Sequence, residues 1–370
     1  MHRALAAVLA AATVLALTGC DLRRETADPA EPVPDTAELV RRDAVEDAVA
    51  LDAAAQTASV GAPEAVLGVL TLVSGTATEQ VTLLGGVYDS GLPEATPTAS
   101  TTRGASGGGT DAVASPSDVL VLLAGATADA RTGALEAEDG GLARLLASVA
   151  ASRAQLSTRL AGALGVDAPA VDTSAPAAST TTGGAADGSG SGDGSTASPT
   201  TATSPGGSTS PAAGAGLTRS TQLALAAAED QAGYGFEVAA ARLADTDRAA
   251  AVASAGVHRA LGDTWAAQAG VVGTADDPRR VTYALGADLS TTAAVRTFCG
   301  GLESALATAY ADALVGSTAG SDARTALVDA LRQAAVAALA WDATPTATPG
   351  LAAVVPADAP SSTATDAAAG

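Results

Sequence analysis

Glu229, His258 and Glu303 are the residues of this chain whose types could do chemistry together. Leu225, Glu229, Ala232, Phe236, Ala240 and Leu243 recur at three- and four-residue steps. That spacing predicts an amphipathic helix over 222–243 with Glu229 on its inward face. A carboxylate taken out of water needs a partner, because an isolated buried charge is very costly. His258 is the candidate, since His2 is the only other histidine in the chain. It shares a helix face with Ser254, Val257, Leu261 and Trp265, and Glu303 lies on a third helix. Two carboxylates and one imidazole can form a residual single-metal or proton-handling site. They can equally be a hydrogen-bonded Glu229–His258 pair inside a packed core, with Glu303 at its margin. With one histidine outside the leader, no histidine-rich metal cluster can form.

Other catalytic patterns fare worse. A Ser-His-Asp triad would have to recruit His258 from inside a helix, and no serine sits in a nucleophile-elbow sequence. Gly107-Gly108-Gly109 has neither the preceding strand nor the lysine of a phosphate loop. Tyr234, Phe236, Trp265 and Trp341 read as core aromatics. No catalytic residue is expected.

The elements that must position the three residues are helices at about 222–243, 247–268, 290–315 and 322–341. Their stripes are Val295, Phe298, Leu302, Leu306, Ala309 and Ala313 on the third, and Leu327, Leu331, Ala334, Ala338 and Trp341 on the fourth. The connection 270–290 holds Asp277-Pro278 and an apolar run at 281–285, and reads as a loop crossing the bundle. Upstream, 36–165 carries four further helical segments. The first has Leu39, Val45, Val49 and Ala53 on its apolar side, and the last turns Arg144, Arg153 and Arg159 away from its leucines. These segments read as a second helical bundle with a loop at 93–116, or as hairpins that pack on the other domain without a core of their own. Segment 166–216, rich in Ser, Thr, Gly and Pro, buries too little to offset ordering and reads as a disordered linker, either unmodified or O-glycosylated. Its length leaves the two domains free not to touch. Residues 343–370 read as a disordered tail.

Composition narrows the class. The 370 residues include no Lys, Asn or Ile, and Met1 is the only methionine, as a GC-rich bacterial genome would produce. Aromatics are 2%, so any core is built from Ala, Leu and Val, which favours close helix packing: an all-α fold. A formal charge of −21 leaves no basic patch for nucleic acid.

The N-terminus gives an address. Arg3, an apolar run over 4–17 and then Leu17-Thr18-Gly19-Cys20 resemble a bacterial lipoprotein signal, residues 1–20, with Cys20 as the lipidated first residue of the mature chain. The resemblance implies two or more acyl chains, palmitate among them, enough for stable anchoring to the membrane on its extracytoplasmic face. Residues 21–35 would be a flexible tether. Cys299 then has no disulfide partner within the chain; it reads as a small buried hydrophobe, with a redox-active or intermolecular thiol as the alternative.

The runs 228–236, Val257-His258-Arg259, Tyr283-Ala284-Leu285, 302–310 and Ala337-Ala338-Leu339-Ala340-Trp341, in this order and spacing, resemble the ferritin-like domain of unknown function found in actinobacterial envelope proteins. The resemblance covers 217–342 and implies a four-helix bundle with no established activity. Ferritin-like di-iron sites take a Glu from each of two helices and Glu-x-x-His from each of the other two. Here Ala255 stands where the second helix needs Glu, and the fourth helix offers only Asp322 and Asp329. The expectation is therefore a non-catalytic, lipid-anchored binding or scaffold protein with no cofactor and an unknown envelope protein as a further partner. The alternative is a degenerate metal-binding or oxidoreductase protein using Glu229, His258 and Glu303.

Overall fold

The computed structural model describes residues 33–90, 114–169 and 216–352. The leader with Cys20, most of the tether, the loop at 93–113, the bulk of the linker and the end of the tail lie outside the described residues. Among the described residues the fold is all-α, with α1 Thr36–Ala58, α2 Glu64–Leu83, α3 Pro116–Glu136, α4 Gly140–Leu164, α5 Arg219–Ala240, α6 Asp245–Gln268, α7 Thr292–Leu314 and α8 Asp322–Ala340.

Local chemistry sets the starts of most of these helices. Asp35, Asp139, Thr218, Thr291 and Ser321 each cap an N-terminus by accepting from a backbone N–H of the first turn. At α3, Ser115 and Asp118 form a reciprocal capping box with Pro116 as the first helical residue. Gly165 closes α4 in the left-handed conformation, φ 68°.

All eight helices belong to one compact unit. Helices α1–α4 have their own core, in which Leu51, Leu70, Val73, Leu123, Leu156 and Leu160 meet. A second core does not stop at the linker: Val45, Leu146 and Ala147 from the first four helices pack with Leu225, Leu306, Leu314 and Leu327 from the last four. Polar contacts follow the same seam. Arg131 on α3 makes a bidentate pair with Asp329 on α8, at 2.8 and 2.9 Å, and Gln155 on α4 donates to Ala335 O at 2.6 Å. The two sets of helices are therefore docked, where the linker alone left them free to separate.

Docking explains two departures from expectation. Helix α4 is covered from both sides, so Arg153, read from the sequence as turned away, is instead fully buried. Arg144 is half-buried against Asp312, and Arg159 donates to Ala343 O at 3.0 Å. Residues 343–352, read as the start of a tail, lie against the helices. Gln80 on α2 donates to Ala347 O, Thr346 N–H donates to Gln155, and Gly350, φ 81°, sits so close to the Ala307 carbonyl that a Cβ there would overlap it. The segment bridges α2, α4 and α7, and those backbone bonds hold it in place.

One described helix, α2, is long and apolar enough to cross a membrane by length and composition alone. Its Val66, Leu70, Val73 and Ala77 are core residues of the first four helices.

Candidate binding pocket

The spacing-based face of α5 is the face observed. Leu225, Glu229, Ala232, Phe236, Ala240 and the following Leu243 are all buried. Small residues let the neighbouring helices come close: a Cβ on Gly235 would fall 2.7 Å from Leu302 of α7, and one on Gly262 of α6 would press on the α5 backbone at Asp230. On α7 the inward stripe is Val295, Cys299, Glu303, Leu306 and Tyr310, rotated from the predicted one, which leaves Phe298 and Leu302 only partly buried. On α6, His258 and Trp265 face inward and Val257 is exposed.

These rotations bring Glu229, His258 and Glu303 together, and all three are buried. His258 Nδ1 lies 2.8 Å from Glu229 Oε2, and Nε2 lies 3.3 Å from Glu303 Oε1. A carboxylate oxygen only accepts, so both ring nitrogens must donate, and His258 is an imidazolium. Burial opposes that charge, but the two carboxylates outweigh it and push the His258 pKa up to about 9. Phe236 stacks on the ring, with centroids 5.3 Å apart and planes inclined by 12°, an arrangement that also favours a cation.

Tyr310 completes the cluster. Its hydroxyl donates to Glu229 Oε1, so both oxygens of Glu229 are engaged. Burial, then the Glu229 charge, holds the phenol proton on well past its usual range. Sequence reasoning placed Tyr310 within a motif but gave it no role. Its partner is remote in sequence, and only the fold shows the pair.

The cluster forms the floor of a pocket of about 280 Å³ between α6 and α8. Val257 and Leu261 of α6, Leu306 of α7, and Ala334 and Ala337 of α8 make aliphatic walls, and Gln333 stands at the solvent edge. Asp329, the one carboxylate in the middle of α8, points elsewhere, into its pair with Arg131.

A second network holds α5, α6 and the connection 269–291 in register. Asp230 accepts from Arg259, from the Tyr283 hydroxyl at 2.7 Å and from the Arg280 N–H at 3.1 Å. Arg259 also grips Glu237 in a bidentate pair. Asp230, Arg259 and Tyr283 are thus structural, and they lie within three of the motifs singled out in the sequence.

The comparisons with known proteins meet this geometry at one point. Residues 220–353 match the model of a domain of unknown function, DUF4439. The match takes in α5–α8 and the ordered segment after α8, so the DUF4439 region contains every residue of the pocket. No curated protein and no solved structure matches the chain.

The cluster does not fit a di-iron or single-metal site. An imidazole binds a metal through a nitrogen lone pair, and here each ring nitrogen of His258 faces a carboxylate oxygen, so neither is open to a metal in this arrangement. Among the described residues, no group of three His, Cys, Asp or Glu side chains is arranged to hold a metal ion. Cys299 lies beyond the cluster, fully buried. Burial and then the Glu303 charge push its thiol up to about 12, which leaves it protonated and a poor nucleophile.

Proposed function

We propose that this chain is a lipid-anchored extracytoplasmic protein that binds a small molecule without transforming it, through the pocket between α6 and α8 of a ferritin-like bundle. The observation that carries the reading is that the imidazole and the phenol of the floor are already engaged by its carboxylates. His258 spends both nitrogens on Glu229 and Glu303, and Tyr310 spends its hydroxyl on Glu229. Neither an imidazole lone pair nor a thiolate is left on the floor for chemistry. A preformed cavity with aliphatic walls and a few convergent polar groups is what small-ligand sites share.

Elemental analysis separates binding from metal handling. The chain purified without chelator, and again after incubation with ferrous iron, is expected to carry far less than one metal per molecule. Stoichiometric iron or manganese that disappears in His258→Ala would replace this reading with the metal-binding or oxidoreductase one.

Anchoring has its own test. In a bacterial host, Cys20→Ser is expected to abolish palmitate labelling and to move the protein from the membrane to the soluble fraction. Labelling that survives the substitution, or a parent chain found in the soluble fraction, would remove the anchor from the proposal.

A further inference from the structure

The ion pairs on the pocket floor do not balance. Glu229 and Glu303 bring two negative charges and His258 one positive charge, so the buried cluster has a net charge of −1. No arginine lines the pocket, and the chain has no lysine. An unbalanced charge in a site of low polarity attracts a counter-charge far more strongly than the same charge in water. The engagement of the two carboxylates is also unequal. Both oxygens of Glu229 accept hydrogen bonds, whereas Glu303 receives one, at Oε1 from His258; its Oε2 takes none among the described residues. Glu303 is only 3% exposed and lines the pocket.

The walls restrict what the counter-charge can be. A divalent metal takes four or more oxygen, nitrogen or sulfur ligands. Beside Glu303 Oε2 the pocket offers only the Ser254 hydroxyl and the Gln333 amide among side-chain donors not already engaged, set between aliphatic residues. An organic cation uses both parts of the site, with its head on the carboxylate and its carbons on the walls. A volume of about 280 Å³ falls just under the usual range for drug-sized ligands, roughly 300–1,000 Å³, so the occupant is small.

We propose that the pocket binds a small aliphatic ammonium ion, its head group against Glu303 and its chain along Val257, Leu261 and Ala334. This rests on reading the pocket as a binding site. The probe is n-butylammonium, with butan-1-ol, butyrate and manganese(II) as comparators, titrated into the full chain at constant sodium chloride. The imidazole NMR signal of His258 reports local binding, and the melting temperature reports linkage. n-Butylammonium is expected to move the His258 signal saturably, at least tenfold more tightly than butan-1-ol or butyrate. Glu303→Gln is expected to weaken it at least tenfold. Val257→Phe, a change at an exposed position on the pocket mouth that leaves the floor intact, is expected to weaken it comparably without loss of fold. Butan-1-ol or butyrate binding as tightly as n-butylammonium would overturn the cation class and leave the pocket reading standing. Tighter binding of manganese(II) would overturn both in favour of a metal. A flat response to every probe would overturn the pocket reading itself, and undiminished n-butylammonium binding by either variant would overturn the proposed placement.

Discussion

Raising the pH from 6.5 to 9 is expected to destabilise this protein, and Glu229→Ala is expected to weaken that pH dependence and to remove a large share of its stability. His258 carries a pKa near 6.5 when unfolded and about 9 in the fold. Between those values the folded chain holds a proton that the unfolded chain releases. The stabilisation is therefore complete below about pH 6.5 and is lost as pH rises through 9. A displacement of that size, at about 1.4 kcal/mol per pH unit, corresponds to on the order of 3 kcal/mol. Cys299 and Tyr310, also raised, act with the same sign, but their unfolded values of 9.0 and 10.0 put their effects at higher pH. Urea midpoints measured from pH 6 to 9 should fall, and midpoints that stay level or rise would show that His258 is not an imidazolium held by carboxylates. Glu229→Ala strips the acceptor from His258 Nδ1 and from the Tyr310 hydroxyl, both buried. Breaking a buried ion pair from one side costs about 3–5 kcal/mol. Glu229→Gln keeps an acceptor while losing the charge. It should cost less, with the His258 pKa dropping toward its ordinary value by imidazole NMR.

How much of this was legible depended on side-chain size. The face of α5 could be read because Leu225, Phe236 and Leu243 are large and recur in step with Glu229. It follows that the Glu229–His258 pair, with Glu303 beside it, was legible as a possibility before any coordinates. On α7, Cys299, Gly300, Ala307 and Ala311 make neighbouring faces almost equally apolar, so the inward direction was misplaced by part of a turn and Tyr310 was passed over. The same chemistry hid the docking of the two sets of helices. Val45, Ala147 and Ala335 are small apolar residues that look alike whether they cover a bundle's own core or meet a neighbour. Charge misled in the other direction. Arg153 was placed outside because arginine is seldom fully buried, and no sequence period announces that Asp47 and two carbonyl groups converge on it.

Arg153→Ala should accordingly be among the most damaging single changes in the chain, and its effect should be visible far from the site. Arg153 is fully buried in α4. Its Nη1 donates to Asp47 Oδ2 and to Ala126 O, both at 2.9 Å, its Nη2 donates to Ala44 O at 2.8 Å, and its Nε donates to Gln80 Oε1 at 3.3 Å. One guanidinium thus ties α1, α2 and α3 to α4, and Gln80 continues the chain of bonds to Ala347. Truncation leaves the Asp47 carboxylate, already raised in pKa by burial, without its cation, at a cost of about 3–5 kcal/mol. The double change Arg153→Met with Asp47→Leu removes both charges while filling the space, and should recover most of that loss. Ala44 and Ala126 are interior to their helices, where their carbonyls can also accept from the backbone. Both tryptophans, Trp265 and Trp341, lie in the other half of the protein. If the shared core joins the halves into one cooperative unit, Arg153→Ala will lower the urea midpoint seen by tryptophan fluorescence as much as the midpoint seen by far-ultraviolet circular dichroism. A fluorescence midpoint that stays where it is in the parent chain would mean that α5–α8 hold their fold and their pocket without the first four helices.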